Sequence, residues 1–200
     1  MKTKLCEIAN IRSGHPFRGT IKPISKAETH VVQVRDVNEF GEINIKKLIT
    51  TELIGRKNPD WLQAQDILFI AKGARHFATF VQQLPEQTVC SPYFFIIRIN
   101  TEQKNTVLPE FIYWQLNQRP IQKYFKISAE GSLHVSIRRK ILEDTSIALP
   151  PIATQQKIVA LHRAAVREHK VLQQLIDNRR QQMDAIANDL FTTQSFSDFK

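Results

Sequence analysis

Two hydrophobic patterns divide the chain. From Ile158 onward apolar residues recur at helical spacing: Ile158, Leu161, Ala165, Leu172, Leu175, Ile176, Met183, Ile186 and Leu190. This spacing, close to a heptad, predicts one long helix with a narrow apolar stripe. Pro150 and Pro151 stand before it, where proline is tolerated, and Thr154 is placed to serve as N-cap. No Gly or Pro interrupts the run after Pro151. At about 1.5 Å per residue it reaches roughly 55 Å. A stripe of that length cannot be buried in a small core, so the helix needs a partner helix.

Residues 1–149 follow a different rule. Short apolar runs there alternate with turns, which predicts a mixed, strand-rich domain. Val31–Val37 alternates as a strand. Asp66–Ala71 is almost continuously apolar and predicts a buried strand, Phe77–Gln82 a third and Val89–Ile99 a fourth. Ile43–Leu53 reads equally as strand or loop. Phe40–Glu42 and Asn58–Asp60 read as turns. The period then changes. Leu108–Asn117 and Pro120–Ile127 read as helical, Ser136 as the cap of a short basic helix over Ile137–Glu143, and Thr145–Leu149 as a last strand. Fourteen of the seventeen aromatic residues fall within 1–149 and none between 150 and 190, which separates a globular core from a helix seam. The fold class expected is α+β: a strand-rich mixed globular domain over 1–149, one long C-terminal α-helix over 150–191, and a tail over 192–200.

Charge adds a direction. The chain carries a formal net charge of +9. Residues 1–149 hold 21 Lys and Arg against 14 Asp and Glu, and residues 150–200 hold 7 against 5. The excess on the domain favours a polyanionic partner, nucleic acid being the commonest. Three basic loops stand out, each beside glycine or small residues that let backbone approach a phosphate. The first holds Arg12, Arg18 and Lys22. The second holds Lys72, Arg75 and His76. The third holds Ser132, His134, Arg138, Arg139 and Lys140. These are the DNA-binding candidates, with double-stranded DNA as the expected ligand.

Catalytic chemistry is harder to find. Asn58-Pro59-Asp60-Trp61 lacks the second proline of an amino-methyltransferase motif, and no glycine-rich methyl-donor loop accompanies it. Asp60, Asp66 and Lys72 loosely suggest a metal-dependent nuclease, but the acidic residue expected two positions before the lysine is missing. The six histidines do not cluster, and His162 and His169 lie seven apart on the long helix. No metal and no cofactor are expected. Two cysteines, Cys6 and Cys90, provide neither a disulfide framework nor a zinc pattern. No apolar run approaches the ~20 residues of a membrane span, and the N-terminus lacks a secretory core, so a cytoplasmic protein is expected.

The stretch Ile147-Ala148-Leu149-Pro150-Pro151-Ile152-Ala153-Thr154-Gln155-Gln156-Lys157-Ile158-Val159 resembles the specificity subunit of type I restriction-modification systems. In that family a strand leads through Leu-Pro-Pro and Glu-Gln into a helix. Here Thr154-Gln155 or Gln155-Gln156 stands where Glu-Gln is usual. Leu5–Gly14, Asp66–Gly73, Cys90–Arg98 and Gly131–Ile137 with Leu142 carry weaker likeness along the rest of the chain. The resemblance implies a target recognition domain followed by a spacer helix, with no catalysis of its own. Full members carry two of each, with antiparallel spacer helices. A partner modification subunit methylates adenine and a restriction subunit cuts. One domain and one helix imply a half-length form whose helix is expected to pair antiparallel, as a coiled coil, with a second copy, the helix of a separate full-length subunit being the alternative partner. Two identical domains would then read an inverted-repeat split site. A stand-alone dimeric DNA-binding or regulatory protein is the neighbouring alternative, and a degenerate nuclease a more distant one.

Overall fold

The computed structural model describes residues 2–38, 40–53, 58–73, 75–129 and 136–194. In chain order the elements are β1 (Lys2–Lys4), α1 (Leu5–Ile8), β2 (Ala9–Ser13), β3 (Thr29–Val32), β4 (Ile49–Thr51), β5 (Ile67–Ile70), β6 (Ala78–Phe80), β7 (Thr88–Cys90) and β8 (Phe94–Ile99). There follow α2 (Pro109–Leu116), α3 (Arg119–Ser128), α4 (Arg139–Glu143), β9 (Ser146–Ala148) and α5 (Ile152–Gln194). The fold is α+β with one long C-terminal helix.

The organising layer is a four-stranded antiparallel sheet in the order β2-β8-β5-β6. All four residues of β5 are buried, which explains its unbroken apolar run. Ile67 and Phe69 turn to a core shared with Phe111, Ile112 and Leu116 of α2 and Phe125 of α3. Phe69 and Phe125 meet with ring centroids 4.8 Å apart. Leu68 and Ile70 turn the other way, onto Val32, Cys90, Phe94 and Ile96. The second face thus packs on a smaller sheet, β4-β3-β7, in which β3 and β7 run parallel. A two-stranded pair, β1 with β9, joins the N-terminus to the strand before α5.

One buried ion pair fixes the start of β5. The carboxylate of Asp66, 1% exposed, accepts from Arg98 Nε and Nη2, both at 2.7 Å. Gln63 N–H adds a third bond at 2.8 Å. The carboxylate raises the pKa of the Arg98 guanidinium further above its ordinary value.

Several boundaries differ from the sequence expectation for local reasons. Val31–Val37 is a strand only to Val32, because the Asp36 carboxylate accepts from Gln33 N–H at 2.8 Å and turns the chain into a 3-10 helix over Val34–Asp36. Val89–Ile99 is two strands in two sheets, broken at Ser91–Tyr93, where Pro92 has no N–H to give a ladder. The predicted helical stretch from Pro120 is a full helix, α3. Ser136 does not cap α4. It bridges to Lys72 as a β-pair, and Arg138 takes the N-cap position. Thr154 is not the cap of α5 either: the helix has begun at Ile152, and Pro151 C=O already accepts from Thr154 and Gln155 N–H.

The chain divides into two compact units, Met1–Val159 and Ala160–Lys200. The first two turns of α5 belong to the first unit. They are fixed there by Gln155, whose side-chain amide is fully buried. Its Oε1 accepts from Leu108 N–H at 2.9 Å, and its Nε2 donates to Thr106 C=O and Pro150 C=O, both at 2.8 Å. In the second unit most described helix positions are exposed, with His162, Val166, Lys170 and Gln173 half-buried. No described helix is long and apolar enough to cross a membrane.

Candidate nucleic-acid interface

Strand order decides which loops meet. In the sheet β2-β8-β5-β6, the C-terminal ends of β2 and β5 lie beside the N-terminal ends of β8 and β6. The loops leaving β2 and β5 and the Ser91–Tyr93 turn before β8 therefore share one end of the sheet. Tyr93 C=O accepts from Ala71 N–H at 2.8 Å, tying the turn to the loop after β5. Ile137 N–H donates to Ala71 C=O at 2.8 Å, beside the Lys72–Ser136 bridge. The second and third basic loops are thereby neighbours.

The first loop is held close by a glycine. A Cβ on Gly14 would stand 2.1 Å from Ser91 O and 2.8 Å from Cys90 O, so only glycine lets β2 leave under that turn. Gly14 N–H donates to Phe94 C=O and His15 N–H to Cys90 C=O. Burial holds the neighbouring Cys90 thiol well above its ordinary pKa, so it is an inert packing group. Further on, Thr51 Oγ1 donates to Lys22 C=O at 2.9 Å, stitching the end of the loop to β4. Arg18 and Lys22 themselves are exposed.

Between this loop, the 3-10 helix and the Tyr93 turn lies a cleft of about 540 Å³. Phe17, Gln33, Arg35 and Tyr93 contribute to its walls. Tyr93 is 52% exposed, a large aromatic surface with its backbone fixed. An exposed tyrosine ring beside an arginine and a ring of basic loops can stack on a base or pack on a sugar while the cations meet phosphates. None of these four was singled out from sequence. Arg35 lay inside a run that looked like a strand, and Tyr93 inside a longer apolar run. The Ser91-Pro92 break was the available signal.

The sequence candidates divide by geometry. Lys72 and Arg75 are exposed, and the Arg75 guanidinium lies over the Phe77 ring, 5.4 Å from its centroid. That stacking pre-orders the side chain without consuming its hydrogen-bond donors. His76 is half-buried, with Nδ1 3.1 Å from Ile70 O, and its Nε2 has no partner among the described residues. Arg12 is ion-paired to Asp60 at 2.8 Å and also bonds Asn10. Arg139 pairs with Glu143 at 2.7 Å and Lys140 with Asp144 at 3.3 Å, both one turn along α4. Such exposed pairs are worth only about 0.3–0.5 kcal/mol and exchange readily for a phosphate. Arg138, at the N-cap of α4, is exposed. Ser132 and His134 fall outside the described residues.

The two carboxylates weighed for metal chemistry are both held by arginines, Asp60 by Arg12 and Asp66 by Arg98. Among the described residues no three His, Cys, Asp or Glu side chains gather as a metal site.

The model of the type I restriction modification DNA specificity domain family matches residues 1–175. No curated protein matches the chain. Solved structures share its fold, three of them as follows. The type I restriction-modification S subunit from M. genitalium is 15% identical with a TM-score of 0.61, over 90% of this chain and 42% of that one. The HsdS subunit from Thermoanaerobacter tengcongensis is 15% identical with a TM-score of 0.54, over 84% of this chain and 37% of that one. A chain from work on complex assembly and conformational transition of the type I R-M system is 14% identical with a TM-score of 0.59, over 86% and 39%. This chain therefore spans about two fifths of the length of the solved chains it matches. With the family matched from Met1 into α5, the chain belongs to the type I restriction modification DNA specificity domain family.

Proposed function

We propose that the chain is the DNA-recognition component of a type I restriction-modification complex, in half-length form. Its first unit reads one half of a split DNA site. Its helix pairs antiparallel with that of a second copy, so that two identical domains address an inverted repeat. The assembly directs a modification methyltransferase subunit and, through it, a restriction subunit. The chain itself contributes recognition and no catalytic group.

The observation that carries the DNA reading is the convergence of Lys72, Arg75, Arg138 and the Tyr93 cleft at one end of the sheet, on a domain of strong positive charge. The pairing reading rests on α5. Leu161 is 72% exposed and Ile176 60% exposed on a helix of 43 residues. Its charges support an antiparallel arrangement. The first half holds Lys157, Arg163, Arg167 and Lys170 against Glu168, and the second half Asp177, Asp184 and Asp189 against Arg179 and Arg180. The helix dipole favours the opposite distribution, so the order does not serve the isolated helix. An antiparallel copy sets the basic half against the more acidic one.

Binding to labelled random duplex DNA, followed by anisotropy across a salt series, tests the interface. Affinity should fall linearly on a log–log plot, and Arg75→Ala or Arg139→Ala should each reduce the slope by about one. Duplex affinity that does not respond to salt, or slopes unchanged in both variants, would refute the placement.

A further inference from the structure

A second concavity, distinct from the Tyr93 cleft, points to how the pair closes. It is an apolar groove of about 760 Å³ whose walls include Trp114, Ile121, Tyr124, Leu149, Pro150 and Ile158. Lys2 and Asp144 stand on its polar edge. The groove opens beside the second turn of α5, where Ile158 contributes one wall. At the far end of the same helix Leu190 and Phe191 are 61% and 75% exposed. Phe191 is the first aromatic residue after Trp114, Tyr124 and Phe125, following an aromatic-free run from 150 to 190.

We propose that Leu190 and Phe191 of one copy seat in this groove of the other. The inference rests on the antiparallel pairing put forward above. Phe191 follows Ile158 by 33 positions on the same helix, and the Phe191 proposed to occupy the groove is that of the second copy. An antiparallel copy reverses the direction. With Glu168 opposite Arg179 of the second copy, Leu161 comes level with its Ile186, Leu172 with its Leu175 and Val171 with its Ile176. Three apolar layers and one opposite-charge layer thus share a single register. The same register brings Leu190 and Phe191 of the second copy level with Lys157 and Gln156, on the turn that carries Ile158. Asp189 arrives one position away, beside Lys157. Two-fold symmetry repeats the contact at the other end, so each end of the spacer is capped by a domain of the opposite copy.

The test uses Trp114 as a probe. Trp61→Phe leaves Trp114 as the single tryptophan. Raising protein concentration through dimerisation, monitored in parallel by sedimentation, should shift Trp114 emission to the blue and shield it from iodide. Phe191→Ala should remove the shift and weaken dimerisation by about tenfold or more. A dimer in which Trp114 is unaffected by association and by Phe191→Ala overturns the groove contact and leaves the pairing standing. A monomer at every concentration overturns both. Shielding that appears only when purified modification subunit is added also overturns it, assigning the groove to that partner. As an independent measurement, Phe191→Cys with Gln118→Cys in a Cys6→Ser background should form covalent dimers on mild oxidation. A dimer that does not cross-link counts against the contact.

Discussion

Replacing Gln155 by alanine removes one acceptor and two donated bonds from the point where α5 enters the domain. The Leu108 N–H, at the start of α2, loses its 2.9 Å partner, and Pro150 C=O loses its 2.8 Å donor. Thr106 is exposed, so its carbonyl can turn to water. Two groups left without partners near a buried site destabilise by about 1–3 kcal/mol each, and the vacated volume adds to this. The expected loss is about 3 kcal/mol, or roughly 6–12 °C in melting temperature for a chain of this size. Near-ultraviolet circular dichroism against temperature reads it. Gln155→Glu sharpens the test. The carboxylate keeps the bond from Leu108 but sets negative charge against two carbonyls in a dry site. Its folded pKa must lie above the ordinary value of about 4.3, so stability falls as pH rises through that window. The glutamate variant should therefore recover part of its loss below about pH 4, where the neutral acid can donate to one carbonyl. A loss under about 1 kcal/mol for Gln155→Ala, or no pH recovery for Gln155→Glu, would refute the role assigned to this amide.

Arg98→Ala leaves the Asp66 carboxylate buried without its counter-ion and should cost about 3 kcal/mol, the lower end for a broken buried pair because Arg98 is one third exposed. Arg98→Lys should restore little, since a lysine cannot reproduce the two-pronged contact; urea unfolding compares them. The Asp144 carboxyl is held below its ordinary range, chiefly by the hydrogen bond from Lys4. Its contribution is therefore present above about pH 4 and lost as pH falls through the lowered value, and Asp144→Asn should flatten the melting temperature against pH in that acid window. Glu168→Arg should break the dimer by placing like charges level across the seam, and adding Arg179→Glu should restore it, as read by sedimentation equilibrium.

The parts legible in the sequence were those with local causes. Ile67–Ile70 had to be buried because no residue in the run is polar, and the α5 stripe had to be exposed or paired because the helix is longer than any core could cover. Val89–Ile99 looked like one strand because apolar content does not say which sheet a residue joins. Its first half pairs with β3 and its second with β2 and β5. The basic loops could be marked by charge, but their meeting depends on the order β2-β8-β5-β6, set by contacts between residues up to 90 positions apart. Arg35 and Tyr93 were missed for the same reason, since a cleft wall exists only once its separate segments are assembled. Gln155 stood inside a recognisable stretch, yet its role was hidden. Two of its partners, Thr106 and Leu108, lie nearly fifty residues upstream and bond it through backbone atoms that carry no sequence signal.

The most direct test of the account is selection of duplex DNA by the purified full chain from a random-sequence pool, with the oligomeric state of the bound complex measured on the selected sites. Two identical half-sites in inverted orientation at one fixed spacing, each complex holding two protein chains, is the expected result. Enrichment of a single asymmetric half-site bound by one chain, or no enrichment over the starting pool, would contradict it.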